Sequence, residues 1–353
     1  MRAFSRSFGG APTRAGAASL AKRIRLALGL AVSLFFLVWL FRGVDLARVG
    51  GILRDADYTW IILALPIYFA GVWLRALRWQ YLLSPIKALK ARKLFPYTVL
   101  GFMANNVLPL RAGELVRAYL LGEKEEISKT SILATILVER VLDALTLLLF
   151  ALAISFLVPL PDWLRTGVTM AGLVFLGLLV LSLASAFLSG AALAVTGLLV
   201  RVLPGSWQPR VQNVVRLFLE GLASLKQGRV LGMVSFISLL VWLAETGLFF
   251  MVGYGFRLPP LPFHAFLLTM STANLGISIP SSQGGIGPFE FIASRTIGLF
   301  QVDPSLATAY AIGVHAALLV PITILGFFYL WREHLSLGSI TESRAEEIGE
   351  PSS

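Results

Sequence analysis

The chain has 353 residues, of which 57 % are hydrophobic and 14 % are charged, with a mean hydropathy of +0.79. This balance excludes a soluble globular domain, which is far more polar, and it indicates a polytopic membrane protein of all-α class. The net charge of +11 does not indicate nucleic-acid binding, because basic residues concentrate in the cytoplasmic loops of membrane proteins. No cysteine is present, which excludes disulfides and thiolate metal sites, and no metal or cofactor site is predicted.

The two ends of the chain are predicted to be cytoplasmic. Residues 1–25 contain several bases and no acid, and the apolar run Leu26–Phe41 follows them. No small-residue cleavage site precedes Arg42, so we expect an uncleaved anchor rather than a signal peptide. Residues 26–331 are predicted to form a single transmembrane domain, and residues 332–353 a polar tail. These features predict a multi-pass protein of the cell inner membrane.

Six apolar stretches predict full membrane crossings, and Lys and Arg concentrate between them on the predicted cytoplasmic side. The stretches are 26–41, 58–83, 130–160, 166–185, 230–254 and 306–331. After the fourth crossing, a short apolar segment to residue 200 is expected along the inner face. An amphipathic helix is predicted near Val211–Leu225.

Between the second and third crossings, Leu94–Leu121 is apolar at first but is then interrupted. About 15 apolar residues precede the break, fewer than the roughly 20 that a helix needs to cross, so a re-entrant hairpin is expected. The interruption contains helix-breaking and polar residues: Asn105, Asn106, Pro109, Arg111, Gly113, Glu114 and Arg117. Such residues at membrane depth usually line a wet cavity and mark a substrate path.

Charges also interrupt two of the predicted crossings. The third crossing contains Glu139, Arg140 and Asp143, where Arg140 and Asp143 can pair at i, i+3. These residues either form a self-neutralised structural cluster or supply counter-charges for the arginines of the first hairpin. Glu245 lies near the middle of the fifth crossing and is a further site candidate. His315, in the last crossing, is interpreted as a packing residue.

A second broken stretch, residues 267–291, resembles the first in design. Its apolar run ends at Pro280, and Gly284, Gly285, Gly287 and Glu290 follow. Both stretches show the order Asn, Pro, Gly, Glu, and in the predicted topology they enter the membrane from opposite sides. Paired interruptions of this kind indicate an inverted repeat around a transport site. Eight full spans remain an alternative to six spans and two hairpins.

These motifs resemble the lysylphosphatidylglycerol synthase transmembrane region family, which is also described as flippase-like. The resemblance rests on the first hairpin motif from Asn106 to Arg117, on the Glu139, Arg140 and Asp143 cluster, and on the later glycines with Glu290. Gln283 departs from the proline of the family pattern. Bifunctional members of the family carry a soluble aminoacyl-transferase domain, which is not expected here, so no enzyme activity is predicted.

The resemblance implies a lipid translocase that moves a polar headgroup between leaflets, with membrane lipid as its substrate. Arginine forks suit phosphate, which assigns Arg111 and Arg117 to the headgroup. Asn105 and Asn106 would bind headgroup oxygens or cap a half-helix. Glu114, Glu139 and Glu290 would neutralise the arginines or hold a cationic headgroup. Pro109, Gly113, Pro280 and the glycines of the second hairpin would break the helices and permit hinge movement.

Other functions remain open at this point. A membrane glycosyltransferase that uses a polyprenyl-phosphate donor would place Asp55 and Asp57 as a metal-binding pair. An ion-coupled solute transporter would use Glu245 or Asp143 as its coupling carboxylate. A structural partner of lipid-synthesis enzymes and a homo-oligomer are further alternatives.

Overall fold

A computed structural model describes residues 14–108, 112–188, 208–279 and 281–332, with a few positions between 189 and 207. The described residues contain α-helices and short 3-10 turns but no strand, which confirms the all-α prediction. The α-helices are α1 (Arg14–Phe41), α2 (Leu46–Asp55), α3 (Tyr58–Leu83), α4 (Ala91–Val107), α5 (Gly113–Glu125), α6 (Lys129–Ser155), α7 (Asp162–Phe187), α8 (Gln208–Gly221), α9 (Gly228–Gly255), α10 (Phe263–Gly276), α11 (Pro288–Gly298) and α12 (Pro304–Arg332).

Each predicted crossing corresponds to one long helix, namely α1, α3, α6, α7, α9 or α12. By length and composition, four of these can cross a membrane: α3, α7, α9 and α12. A fifth crossing is counted if residues 27–41 of α1 and helix α2 are taken as one span, although the two helices meet at 90°. With 27 residues, α6 is long enough to cross but contains a cluster of charges. The polytopic helical architecture is therefore confirmed.

Both interrupted stretches form pairs of short helices. The first consists of α4, with 17 residues, and α5, with 13; the second consists of α10, with 14, and α11, with 11. None of these helices has the roughly 20 residues needed to cross the hydrocarbon core alone. The lengths favour two broken hairpins over eight full spans.

The two halves of the bundle pack in corresponding ways. Helix α3, which precedes the first broken hairpin, lies along α9, which precedes the second. Asp57 at the start of α3 donates its N–H to the Gly255 carbonyl at the end of α9, while Arg78 near the end of α3 meets Ser238 in the first half of α9. The two helices are therefore antiparallel. Moreover, α4 packs on α12 as α10 packs on α6. Antiparallel corresponding helices are what an inverted repeat requires.

The segment between the first two spans differs from the predicted loop. Residues 46–55 form α2, which Asp45 caps by accepting the Arg48 N–H at 3.1 Å. Its buried residue Val49 packs in the same apolar cluster as α12. Helix α8 occupies most of the predicted amphipathic segment. The first 13 residues, most of the apolar segment after α7 and the tail from residue 333 lie outside the described residues.

Candidate functional site

A polar cavity of about 270 Å³ lies where the two broken hairpins meet the long helices. Its wall combines residues of both halves, from α3, α4, α5 and α6 on one side and from α9, α10 and α12 on the other. The polar side chains of the wall are Tyr68, Arg75, Asn105, Asn106, Glu114, Arg140, Asp143, Trp242, Glu245, Asn274, Ser278 and His315. This concentration of charge inside an apolar bundle defines the candidate site.

Arg78 of α3 lies at the centre of the charges behind this cavity and is fully buried. Its two terminal nitrogens donate hydrogen bonds to the two carboxylate oxygens of Asp143, at 2.6 and 3.1 Å. The same nitrogens also donate to Ser238 at 2.8 Å and to Glu139 at 2.9 Å. Because two parallel bonds from a guanidinium to a carboxylate fix its orientation, Arg78 holds the third crossing in place.

Glu139, which is also fully buried, is shared between two arginines. Its second oxygen accepts a hydrogen bond from Arg117 of the first hairpin at 3.1 Å. The Arg117 guanidinium lies 4.0 Å from the ring centre of Trp79, and the Trp79 indole donates to Thr135 at 3.1 Å. Glu139 therefore supplies counter-charge to Arg117 of the first hairpin, whereas Asp143 pairs with Arg75, Arg78 and Arg140.

Arg75 links the two halves of the protein. Its guanidinium donates to Glu245 at 2.7 Å and lies 4.5 Å from the ring centre of Trp242. Asn274 of the second hairpin donates to the other oxygen of Glu245 at 2.8 Å. The Trp242 indole in turn donates to Asp143 at 3.1 Å. A continuous chain of polar contacts thus joins α3 and α6 to α9 and α10.

These seven side chains form what we call the ion network: Arg75, Arg78, Arg117, Arg140, Glu139, Asp143 and Glu245. It contains four guanidinium groups and three carboxylates, and all but one of its members are buried. The exception is Arg140, whose side chain is 37 % exposed and lines the cavity. Arg140 pairs with Asp143 at 3.4 Å, as the i, i+3 spacing predicts.

The break of the first hairpin is held by Asn105. Its side-chain oxygen accepts the backbone N–H of Gly113 at 2.8 Å, and its amide nitrogen donates to Glu114 at 3.3 Å. A Cβ at position 113 would collide with the Gly101 carbonyl oxygen and with the Asn105 amide. Gly113 is therefore required for close approach of α4 and α5. Asn106 donates to Thr323 of α12 at 2.9 Å.

The second hairpin is held at its break by Glu290 and His315. Glu290 accepts the Gly287 N–H at 2.7 Å, and Gly287 has a φ of +100°, which strongly favours glycine. His315 lies 2.5 Å from the other Glu290 oxygen through Nδ1, and 3.0 Å from the Gly284 carbonyl through Nε2. A carbonyl only accepts, so Nε2 carries a proton. The Nδ1 contact then needs a second proton, which His315 and Glu290 share.

Helix α1 supports the same break from the other side. The Ser33 hydroxyl donates to the Ile286 carbonyl at 2.7 Å and accepts the Ser282 N–H at 2.9 Å. A side chain at position 287 would collide with the Ser33 backbone. Different side chains therefore hold the two breaks in place: Asn105 at the first, and Glu290, His315 and Ser33 at the second.

The predicted site residues divide into three groups. Those that line the cavity are Asn105, Asn106, Glu114, Arg140, Asp143 and Gly284. Those behind it are Arg117 and Glu139 in the ion network, Gly113 at the first break, and Gly285, Gly287 and Glu290 at the second. Pro109, Arg111 and Pro280 lie outside the described residues. The substrate-binding role of Glu290 stays a prediction, since in this structure it secures a helix break.

Two members of the ion network were missed as site residues. Arg75 and Arg78 lie near the end of the stretch 58–83, where arginine side chains commonly reach water, so their positions alone did not indicate a site. Charge balance could have identified them, because α3 contains two arginines and no acid. In contrast, α6 and α9 together contain three acids at membrane depth, namely Glu139, Asp143 and Glu245.

Comparison with known proteins agrees with this architecture. The chain is 26 % identical to glycosyltransferase AglD of Haloferax volcanii over 93 % of its own length, but it spans only 57 % of AglD. It is also 26 % identical to a UPF0104 membrane protein of Methanothermobacter thermautotrophicus, over 73 % of this chain and 80 % of that protein. A UPF0104 membrane protein of Pyrococcus horikoshii is 23 % identical over 86 % of this chain and 91 % of that protein.

A family match covers most of the chain, including both broken hairpins and the ion network. Residues 26–326 match the family described as the lysylphosphatidylglycerol synthase TM region. This is the family that the hairpin motifs resemble. The protein is therefore a membrane protein, and it belongs to the lysylphosphatidylglycerol synthase transmembrane region family.

Proposed function

We propose that this protein moves a lipid with a polar headgroup between the two leaflets of the cell membrane. The observation that carries the proposal is the polar cavity between the two broken hairpins, whose wall combines Arg75 and Arg140 with Glu114, Asp143 and Glu245. A headgroup that crosses hydrocarbon needs such an environment, since an isolated charge at the bilayer centre is costly. Discontinuous helices around a central site are typical of transporters.

The energetics of the ion network support a functional role. Burial of an ion pair costs desolvation energy that its attraction often fails to recover, so buried pairs are weak devices for stability. Here seven charged side chains are gathered at one place, and four of them, Arg75, Arg140, Asp143 and Glu245, line the cavity. Such a group is more readily explained by a ligand that completes it than by packing alone.

The headgroup of the proposed lipid carries a phosphate. The Arg140 side chain is 37 % exposed and lines the cavity, and its buried Nε atom has no hydrogen-bond partner among the described residues. Guanidinium groups bind phosphate oxygens through pairs of N–H donors. Asn105 and Asn106 offer amides in the same wall, and Glu114 offers a carboxylate for an amine or hydroxyl on the headgroup. The lipid is not chemically changed as it crosses. In this proposal, the N- and C-termini of the protein both face the cytoplasm.

Leaflet exchange tests this proposal directly. Purified protein in proteoliposomes would receive fluorescent phosphatidylglycerol, phosphatidylethanolamine or polyprenyl phosphate, and a membrane-impermeant quencher would report the exchanged fraction. We expect exchange of at least one of these lipids, and its loss in Arg140→Leu. Arg165→Leu is the matched control, because Arg165 is 70 % exposed and pairs only with Asp162 among the described residues. Absence of exchange for every lipid would refute the proposal.

The similarity to AglD favours a second candidate, a membrane glycosyltransferase. Asp55 and Asp57 are both exposed at the junction of α2 and α3. Asp57 is occupied in capping α3, since its side chain accepts the Thr59 N–H at 3.0 Å. The replacements Asp55→Asn and Asp57→Asn would abolish sugar transfer from a polyprenyl-phosphate donor if the two residues hold its metal. Unchanged activity in both variants would remove this candidate.

A further inference from the structure

Helix α7 is attached to the bundle mainly at its two ends. Leu164 at its start and Ser182 and Ala186 near its end are buried, whereas no residue between 165 and 181 is. Its start packs through Val168 on a cluster with α6 and α10, and its end packs on the turn that follows α8. Only 6 % of the most apolar part of α7 is buried, against 56 % in α9. The middle of α7 therefore makes little buried contact with the bundle.

The middle of α7 also borders the polar cavity. Phe175, in the middle of α7, is part of the cavity wall and is the single α7 residue described there. Along α6, the cavity wall changes from Arg140 and Asp143 to Ala144 and Leu147. The wall thus becomes apolar as α6 continues toward its C-terminal half, which packs with the start of α7. A headgroup in the cavity would have hydrocarbon within reach on this side.

Space is available on the bundle-facing side of α7. Gly172 belongs to the half-buried stripe that contains Val168, Phe175 and Leu179, one helical turn apart from each other. A Cβ built at Gly172 meets no atom within 4 Å. Gly177 is equally open but exposed on another face of the helix. The absence of a side chain at Gly172 leaves open space between α7 and the bundle, which we call the slot.

We propose that this slot is the lateral portal through which the acyl chains of the transported lipid pass while its headgroup occupies the cavity. The inference rests on the proposed function. Acyl chains must stay in hydrocarbon during transport, because exposing each CH₂ group to water is unfavourable. A cavity closed on all sides would force that exposure. Of the four helices that can cross the membrane by length and composition, α7 has the smallest buried share, so the acyl chains can remain in lipid beside it.

The experiment places a large side chain in the slot and compares it with the same side chain on the outer face. Gly172→Trp and Gly177→Trp would be reconstituted beside the wild type, using whichever of the fluorescent lipids the wild type exchanges. We expect Gly172→Trp to lower the exchange rate by about tenfold or more, equivalent to about 1.4 kcal/mol in barrier height. Gly177→Trp should leave the rate unchanged. Equal rates in the two variants would overturn the portal.

A second measurement avoids any effect of tryptophan on folding. Since the sequence has no cysteine, Gly172→Cys or Gly177→Cys can be folded and reconstituted first, and then modified with thiol reagents of increasing size. Exchange should fall with reagent size at position 172 but not at position 177. Insensitivity at position 172 would overturn the portal while wild-type exchange still upholds the proposed function. A wild type that exchanges no lipid would instead refute the proposed function itself.

Discussion

Replacement of Arg78 by leucine should destabilise the fold more than any other single change in the ion network. Arg78 is fully buried and donates four hydrogen bonds of 2.6–3.1 Å to Asp143, Ser238 and Glu139. Without it, Asp143 keeps only more distant cations, with Arg140 at 3.4 Å and Arg75 at 3.9 Å. Removing one partner of a buried ion pair costs about 3–5 kcal/mol, and we expect a loss of that size.

Replacement of Arg140 by leucine should instead affect lipid exchange more than the stability of the fold. Its contacts with Asp143 and Glu139 are longer, at 3.4 and 3.6 Å, and its side chain is 37 % exposed. Without Arg140, Asp143 and Glu139 keep their shorter bonds to Arg78 and Arg117, so Arg140→Leu should lose far less stability than Arg78→Leu. It should nevertheless lose lipid exchange, because its guanidinium is the one that reaches the cavity while retaining a free donor among the described residues.

Equilibrium unfolding in mixed detergent micelles, followed by lipid exchange for each variant that folds, separates these two outcomes. Arg165→Leu, which removes an exposed arginine, controls for the loss of positive charge. Equal losses of unfolding free energy in Arg78→Leu and Arg140→Leu would refute the division into a structural centre and a binding edge. Full exchange activity in a folded Arg140→Leu variant would refute the assignment of the headgroup site.

Three further predictions concern the hairpins. Gly113→Ala should lower the unfolding free energy by about 1–3 kcal/mol, because its Cβ overlaps the neighbouring turn of α4. Glu290→Gln should be nearly neutral, since its amide can accept the backbone N–H at the break and donate to neutral His315, whereas Glu290→Ala should cost about 1–3 kcal/mol. Burial raises the pKa of Glu125, but the ammonium groups of Lys93 and Lys87 hold this pKa below its usual value overall. Glu125→Gln should therefore be less stable than the wild type at neutral pH.

Each of these predictions is checked by the unfolding free energy against a matched control. Gly50→Ala adds a Cβ in open space and should not destabilise; equal losses at Gly50 and Gly113 would contradict the packing argument. Equal losses in Glu290→Gln and Glu290→Ala would contradict the proton sharing with His315. A carboxylate with a lowered pKa stabilises the fold above its unfolded value of about 4.3, and this contribution disappears as the pH falls through the folded value. The deficit of Glu125→Gln should therefore vanish in acid, and a constant deficit would refute it.

The long apolar runs and the two interrupted stretches were predictable because both depend on local properties of the chain. A stretch of about 20 apolar residues must cross or be buried, and a cluster of proline, glycine and asparagine favours a break in a helix. The inverted relation of the halves was also within reach, since two similar breaks entered from opposite sides. The helix at residues 46–55 was not predicted, because only one of its residues, Val49, is buried. Val49 packs in a cluster with α12, and that contact depends on the tertiary structure.

The sequence by itself determined that this protein is a helical membrane protein with two broken hairpins and ionisable residues at membrane depth. Only the tertiary structure decided which charges meet. Arg75 binds Glu245, which lies 170 residues further along the chain, and Arg78 binds Ser238; both contacts depend on the antiparallel packing of α3 on α9. Glu290 and His315 likewise meet only in the folded protein, where Glu290 secures a helix break and His315 also lines the cavity. Charge pairs over such separations depend on the geometry of the whole bundle, which no local pattern of residues encodes.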